Sequence, residues 1–305
     1  MNRLLVSAMT LAGALATTSC LAAAAGASAA AAKTAAAATD SPTLARIASS
    51  GVVNVGYIPT PGSFAFAAPD GSTVGYSIDL CRHVVDDLRR ALVRPDLRIA
   101  FRPLAPSERI PLLKSGAIDL ECGGNTNTVA RQHDVDFSFT FFTTGVRFLV
   151  KRPLALAGAA SLWRRRVAVT RGTTAQDIVS RLQRDQEVVP VIVANDNEGA
   201  RLVEAGQVDA FAQDDVLLYA LAGAAAPKAA LAVTGDFLSV EPYAFMLPKG
   251  DLALRDLVDR TLSDLMRSGQ MTALYSKWFD NDRLRIPMNV YMQENIRFPS
   301  RYGIP

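Results

Sequence analysis

The feature that most constrains the fold is an alternation of short β-rich runs with helical segments after residue 44. Apolar residues at 80–92 follow a helical spacing, and those at Leu97–Phe101 alternate as in a strand. The second half repeats this order, since the β-rich run Arg166–Thr170 precedes a helical segment that reaches Leu182. Because strands that alternate with helices form βαβ units, the sequence predicts an α/β fold with largely parallel sheets.

Two short segments suggest that the chain contains two units of similar build. Residues 113–119 and 203–209 share one pattern, in which a helix end is followed by glycine, one further residue, a β-branched residue and aspartate. The match suggests two lobes of similar build. Because glycine is common after helices, it does not prove a duplication.

The first 43 residues differ from the rest. A basic start and an apolar run over residues 4–17 are typical of a secretory signal peptide, which we predict over residues 1–29, and an Ala-rich spacer follows over 30–43. An Ala-rich helical arm of the mature protein is the structural alternative. Cys20 leaves open a lipoprotein anchor instead of simple cleavage. In either case we expect a periplasmic location.

Charge and metal-ligating residues exclude several classes of protein. The formal net charge of +3 is too small to indicate a nucleic-acid partner. Three cysteines without a CxxC motif, together with two histidines, argue against a metal site, and we expect no cofactor. Cys81 and Cys122 are candidates for a disulfide in an oxidising compartment, a pairing that the sequence leaves open.

Specific motifs appear between Arg109 and Ser138. The segments RIPLLKSG (109–116), DLECGGNTNTVARQ (119–132) and DFS (136–138) resemble those of family 3 solute-binding proteins, the receptors of polar amino-acid ABC importers. Within that family the glutamate/aspartate-binding proteins are the most similar. The resemblance continues to Trp278-Phe279 and implies a type II periplasmic-binding-protein fold, with two lobes, two hinge strands and a ligand in the crevice between them.

This resemblance gives specific boundaries. Lobe 1 is expected to comprise residues 44–147 and 243–305, and lobe 2 residues 148–242. The hinge crossovers are expected at Gly145–Lys151 and Leu238–Phe245, where they would permit closure on the ligand. The implied partners are an amino acid, glutamate- or aspartate-like, and the permease subunits of an ABC importer. The membrane would be reached only through that permease or a lipid anchor.

The residue types near these motifs suit a free amino acid. Such a ligand carries a carboxylate and an ammonium, so its burial requires a cation, backbone donors and an anion. Arg131 offers a bidentate fork, and Asp214 offers an acceptor at a strand end. Gly124 and Thr126 lie in a turn that brings backbone N–H groups close to a ligand, and Thr174 donates from a helix start or caps that helix. The resemblance implies the same roles.

Three positions depart from the glutamate/aspartate pocket that the resemblance implies. Ile58 replaces an arginine, Pro106 replaces a serine, and no histidine occurs within Asn195–Glu198. Arg109 remains as a contact for a second ligand carboxylate, whereas Ile58 and Phe64 suggest a more apolar wall. We therefore expect weak discrimination between glutamate and its amide, or a preference for another amino acid.

An enzyme on the same fold, similar to the periplasmic cyclohexadienyl dehydratases, is the alternative. Such an enzyme needs a general acid, for which Glu121 and Glu198 are the candidates. The combined carboxylate and ammonium contacts favour binding, so no catalytic residue is expected.

Overall fold

The computed structural model describes residues 41–60, 62–224, 230–282 and 284–305. The predicted signal peptide, Cys20 and the spacer up to residue 40 lie outside the described residues. Helix α1 (Pro42–Ser50) begins inside the predicted spacer, because the Ser41 hydroxyl caps it by accepting from the Leu44 N–H at 3.0 Å. No helix in the described part of the chain is long and apolar enough to cross a membrane.

The first lobe contains a five-stranded sheet covered by helices. Its sheet strands are β1 (Val52–Tyr57), β4 (Arg98–Pro103), β5 (Leu120–Glu121), β6 (Val135–Phe137) and β14 (Met246–Pro248), in the order β4-β1-β5-β14-β6. Strands β2 (Phe66–Ala67) and β3 (Thr73–Val74) form a separate antiparallel pair. The remaining helices are α2 (Tyr76–Ala91), α3 (Arg109–Lys114), α4 (Val129–Gln132), α8 (Leu252–Arg267), α9 (Gln270–Trp278) and α10 (Val290–Arg297).

The second lobe repeats this plan. Its strands are β8 (Val146–Lys151), β9 (Arg166–Thr170), β10 (Val189–Val193), β11 (Ala210–Asp214) and β12 (Leu231–Thr234), in the order β10-β9-β11-β8-β12. Its helices are α5 (Thr174–Gln186), α6 (Asp196–Glu204), α7 (Asp215–Ala224) and a 3₁₀ turn (Ala159–Leu162). In both sheets the first three strands are parallel, and the fourth is antiparallel to its neighbours. The structure thus has the predicted α/β class and two similar sheets.

Two short strands connect the lobes. Strand β7 (Phe142–Thr144) pairs antiparallel with β13 (Glu241–Tyr243) outside both large sheets. The predicted crossover at Leu238–Phe245 contains β13. The predicted crossover at Gly145–Lys151 is displaced, because Val146–Val150 are already in register with β11 inside the second sheet. The first crossover therefore precedes Gly145, at β7.

The core of the first lobe holds in place the turn that reaches the space between the lobes. In the first lobe, the buried face of α2 packs with β1, β5 and helices α8 and α9 in one apolar cluster. Cys81 on α2 and Cys122 after β5 are fully buried and form a disulfide, with a Cα–Cα distance of 6.1 Å. This bond, which the sequence left open, anchors the start of the Gly123-Gly124 turn.

Candidate functional site

An inter-lobe cavity lies at the carboxyl ends of strands from both sheets. Seven of the eight predicted site residues line it, namely Ile58, Arg109, Gly124, Thr126, Arg131, Thr174 and Asp214. The other lining residues are Thr60, Pro106, Thr173, Asp196, Gln213, Leu217 and Tyr243. This place, at the carboxyl ends of β1, β5, β9 and β11, is where open α/β sheets commonly bind ligands.

Phe64 is the predicted site residue that the structure does not bring into the cavity. Its ring is fully buried in the first lobe, at 4.9 Å from the Phe142 ring and 5.2 Å from the Tyr243 ring, measured between centroids. The prediction of Phe64 as a wall residue is therefore wrong, because Tyr243 stands between this ring and the cavity. The apolar part of the wall comes from Ile58, Pro106 and Leu217.

Arg131 lies on the short helix α4, which Thr128 caps by accepting from the Arg131 N–H at 3.1 Å. Its guanidinium donates from Nη1 to the Thr126 carbonyl at 2.8 Å and from Nη2 to the Gly172 carbonyl at 3.2 Å. Burial lowers the pKa of Arg131, and the negative charge of Glu241 opposes that shift. The side chain is thus a cation held at the cavity rather than a solvated surface residue.

Arg109 is buried beside it on α3. Its Nη1 donates to the Asn125 side-chain oxygen at 3.0 Å and its Nη2 to the Gly172 carbonyl at 3.1 Å, while the buried Nε has no partner among the described residues. Burial, and then the charge of Arg131, lower the pKa of Arg109 to about 9, whereas Glu121 opposes this shift. Both arginines of the first lobe therefore donate to one carbonyl of the second.

Asp214 ends β11 and supplies the negative side of the cavity. One carboxylate oxygen, Oδ2, accepts from the Tyr243 hydroxyl, and in the part of the chain that the structure describes the buried Oδ1 has no partner. Burial raises the pKa of Asp214 well above its usual value, and Glu241 adds to the shift. Asp215 begins α7 and accepts from the Thr144 hydroxyl at 2.6 Å.

The helix start at α5 differs in detail from the sequence-based alternatives. Thr173, not Thr174, caps α5, since its hydroxyl accepts from the Gln176 N–H at 3.2 Å. The Thr174 hydroxyl donates to Glu241 Oε2 at 2.9 Å and so links the second lobe to the crossover strand β13. Both threonines line the cavity.

Sequence reasoning missed two polar residues of the second lobe. Asp196 Oδ1 accepts from the Thr170 hydroxyl at 2.5 Å and from Gln213 Nε2 at 2.9 Å, and burial raises the pKa of Asp196. The available signal was the segment Asn195–Glu198, where the resemblance already placed a ligand-contacting side chain. Gln213 adjoins Asp214 in the sequence but carries no motif of its own.

Neither candidate general acid lines the cavity. Glu198 Oε2 accepts from the Ala194 N–H at 2.9 Å at the start of α6. Glu121 is fully buried behind Arg109, and burial raises its pKa to about 7. No cluster of three or more potential metal ligands occurs among the described residues.

Two α/β lobes enclose a cavity that has paired arginines on one side and an unpaired carboxylate oxygen on the other. These features define a solute receptor of the periplasmic-binding-protein class. Residues 53–281 match the model of the bacterial extracellular solute-binding proteins, family 3, and the chain belongs to that family.

Curated relatives are similar over most of the chain. The glutamate/aspartate import solute-binding protein of Escherichia coli K12 is 35% identical, over 78% of this chain and 80% of that protein. The L-glutamate/L-aspartate-binding protein of Pseudomonas aeruginosa is 32% identical, over 85% of this chain and 88% of its own length. An ABC transporter glutamine-binding protein of Bacillus subtilis is 26% identical, over 79% of this chain and 85% of its own. These relatives are binding proteins, which agrees with the expectation of a non-catalytic role.

Solved structures share the fold. An ancestral arginine-binding protein bound to arginine has a TM-score of 0.68 at 28% identity, over 75% of this chain and 98% of its own. An ancestral amino acid-binding protein, described as a precursor of cyclohexadienyl dehydratase, has a TM-score of 0.67 at 27% identity, over 77% of this chain and 98% of its own. Even this neighbour is described as a binding protein, so the dehydratase alternative gains little support.

Proposed function

We propose that this protein is an extracytoplasmic receptor that binds an amino acid in the inter-lobe cavity and delivers it to an ABC importer. The observation that carries the proposal is the unpaired Asp214 Oδ1, buried in a cavity that also holds the guanidinium groups of Arg109 and Arg131. A buried acceptor without a partner is costly, and a ligand ammonium would relieve that cost.

The other half of the ligand fits the positive side of the cavity. An α-carboxylate would replace the Gly172 carbonyl as the acceptor of Arg131, because a charged acceptor makes stronger hydrogen bonds than a neutral one. The family supports this function, and the named relatives bind glutamate, aspartate or glutamine. For this chain we propose the class of polar amino acids. A periplasmic location and the domain boundaries remain predictions.

A thermal-shift screen tests the proposal. Protein is unfolded, dialysed to remove bound solute, refolded and heated with each common amino acid and with small dicarboxylates. A ligand present at about 100 times its Kd should add about 2.7 kcal/mol of stability. Asp214→Asn is the informative variant, because it keeps the shape but lowers the attraction for the ammonium. If no amino acid stabilises the wild-type protein, the proposal is wrong.

A further inference from the structure

A buried acidic side chain lies behind the cavity and is linked to one of its arginines. The Asn125 side chain joins the two, since its oxygen accepts from Arg109 Nη1 at 3.0 Å and its Nδ2 donates to Glu121 Oε2. All three residues are nearly or fully buried. Glu121 is not one of the seven predicted site residues that line the cavity.

The surroundings of Glu121 make Arg109 its main charged neighbour. Directly after β1 and β5, Ile58 and Gly123 present backbone N–H groups that favour the ionised form of Glu121. On β14, the apolar Met246 pairs with Glu121. From α3, the Arg109 guanidinium also favours ionisation, whereas burial opposes it and raises the pKa of Glu121 to about 7.

A wider ring of charges surrounds Arg109 itself. Arg131 lowers the pKa of Arg109, while Tyr243 and Asp214 raise it together with Glu121. The Asp214 carboxylate faces the position proposed for the ligand ammonium, which every amino acid carries. Its titration therefore affects acidic and neutral ligands alike and cancels when their affinities are compared as a ratio.

We propose that Glu121 is a positioning residue that acts through Asn125 on Arg109 and makes the cavity prefer a neutral polar side chain over a side-chain carboxylate. The inference rests on the proposed amino-acid function. When Glu121 is ionised, it compensates the charge of Arg109. With Arg131 paired to the α-carboxylate, a side-chain carboxylate of the ligand would then add a buried anion that has no cation of its own. A ligand amide offers an acceptor for the unpaired Nε of Arg109 without that charge.

Protonation of Glu121 reverses this preference. A neutral carboxyl leaves the Arg109 charge available to a ligand carboxylate. The affinity for glutamate, relative to glutamine, is therefore highest in mild acid and falls as the pH rises through about 7. The side-chain carboxylate of free glutamate stays ionised throughout, since its pKa is about 4.3.

Calorimetry with glutamate and glutamine, and with aspartate and asparagine, tests the inference on the full chain from about pH 5.5 to about pH 8.5. For the wild-type protein the Kd of the acid divided by that of its amide should rise at least about tenfold over this range, which is the effect of one pKa unit of interaction. In Glu121→Gln the ratio should be constant and low, as in the wild-type protein at acid pH. Glu294→Gln is the matched control, because Glu294 is exposed on α10 and paired with Arg297.

The outcomes separate the two proposals. If no amino acid stabilises the wild-type protein, both the receptor function and this inference are wrong. A wild-type protein that binds other amino acids but neither pair would overturn only the inference, as would a ratio that does not change with pH. If Glu121→Gln fails to fold, the pH dependence of the wild-type ratio still decides. A merely structural role for Glu121 would change all four affinities equally and leave the ratios fixed.

Discussion

The Tyr243 hydroxyl donates to Asp214, which joins a crossover strand to the negative end of the cavity. Tyr243 lies on β13, between the lobes, and Asp214 closes β11 in the second lobe. This hydrogen bond uses one oxygen of the carboxylate and leaves the other for an ammonium. The proposed contact between Asp214 and a ligand ammonium would thereby be coupled to the strand that connects the lobes.

Removal of this hydroxyl should destabilise the ligand-free protein through Asp214. In Tyr243→Phe, Asp214 Oδ2 loses the hydroxyl that donates to it, so the free energy of unfolding should fall by about 1–3 kcal/mol. Urea denaturation of Tyr243→Phe, Asp214→Asn and the double variant measures the coupling between the two sites. Tyr275→Phe is the control, because that hydroxyl donates to the neutral Pro287 carbonyl at 3.3 Å. Equal costs of Tyr243→Phe in both backgrounds would contradict the coupling.

Arg131→Ala should abolish amino-acid binding with little effect on folding. The loss of a charge-assisted contact to a buried carboxylate costs about 2–5 kcal/mol of affinity, or about 30- to 5,000-fold in Kd. Isothermal calorimetry measures this change, and urea denaturation checks the fold. Arg98→Ala, on the exposed face of β4, is the matched control. Unchanged affinity in Arg131→Ala would remove this arginine from the site.

The motif residues could be predicted because they follow strands whose carboxyl ends meet in any fold of this class. Arg131, Thr126 and Asp214 are examples, because the resemblance implies their roles and their residue types suit a free amino acid. Tyr243 was missed because its role comes from a crossover strand that crosses between the lobes, which local patterns do not show. Phe64 was misassigned because apolar character alone does not tell a cavity wall from the core behind it.

The position of the first crossover was mispredicted for a similar reason. A β-rich run such as Val146–Lys151 carries no mark of where a connection ends and a sheet begins. Only the register with β11 decides that question, and register depends on residues about sixty positions away.

The Cys81–Cys122 disulfide should stabilise the first lobe. It closes a loop with a sequence separation of 41, for which the loss of chain entropy in the unfolded state predicts about 3–4 kcal/mol. We expect Cys81→Ser/Cys122→Ser to lower the free energy of unfolding by that amount in urea. A reductant should lower the wild-type value similarly and leave the double variant unchanged. Identical midpoints of the wild-type protein with and without reductant would argue against the bond.

The lobes should close on the ligand by rotation about β7 and β13. Closure is expected because Arg131 and Asp214 belong to different lobes, and a bound amino acid would need both. Small-angle scattering should show a smaller radius of gyration with saturating ligand than without it. Arg131→Ala, given the same ligand concentration, should show no compaction. Superimposable wild-type profiles in the two conditions would count against closure.

The buried Glu121 should also make the stability of the protein depend on pH. Its pKa is raised from 4.5 to about 7 in the folded state, mainly by burial, so the folded protein binds more protons than the unfolded chain between these values. This contribution to stability is fully present below about pH 4.5 and is lost as the pH rises through about 7. At 1.36 kcal/mol for each pKa unit, the loss is about 3 kcal/mol.

Glu121→Gln removes this titration and so does not lose this contribution. When the pH is raised from about 4.5 to about 8, the free energy of unfolding of Glu121→Gln, minus that of the wild-type protein, should therefore increase by about 3 kcal/mol. Urea denaturation at both pH values, without ligand, measures the difference. Glu294→Gln should follow the wild-type protein at both values, since its carboxylate is exposed on α10. A difference between Glu121→Gln and the wild-type protein that stays constant across this range would show that Glu121 does not titrate there, and that Arg109 faces the same buried charge at either pH.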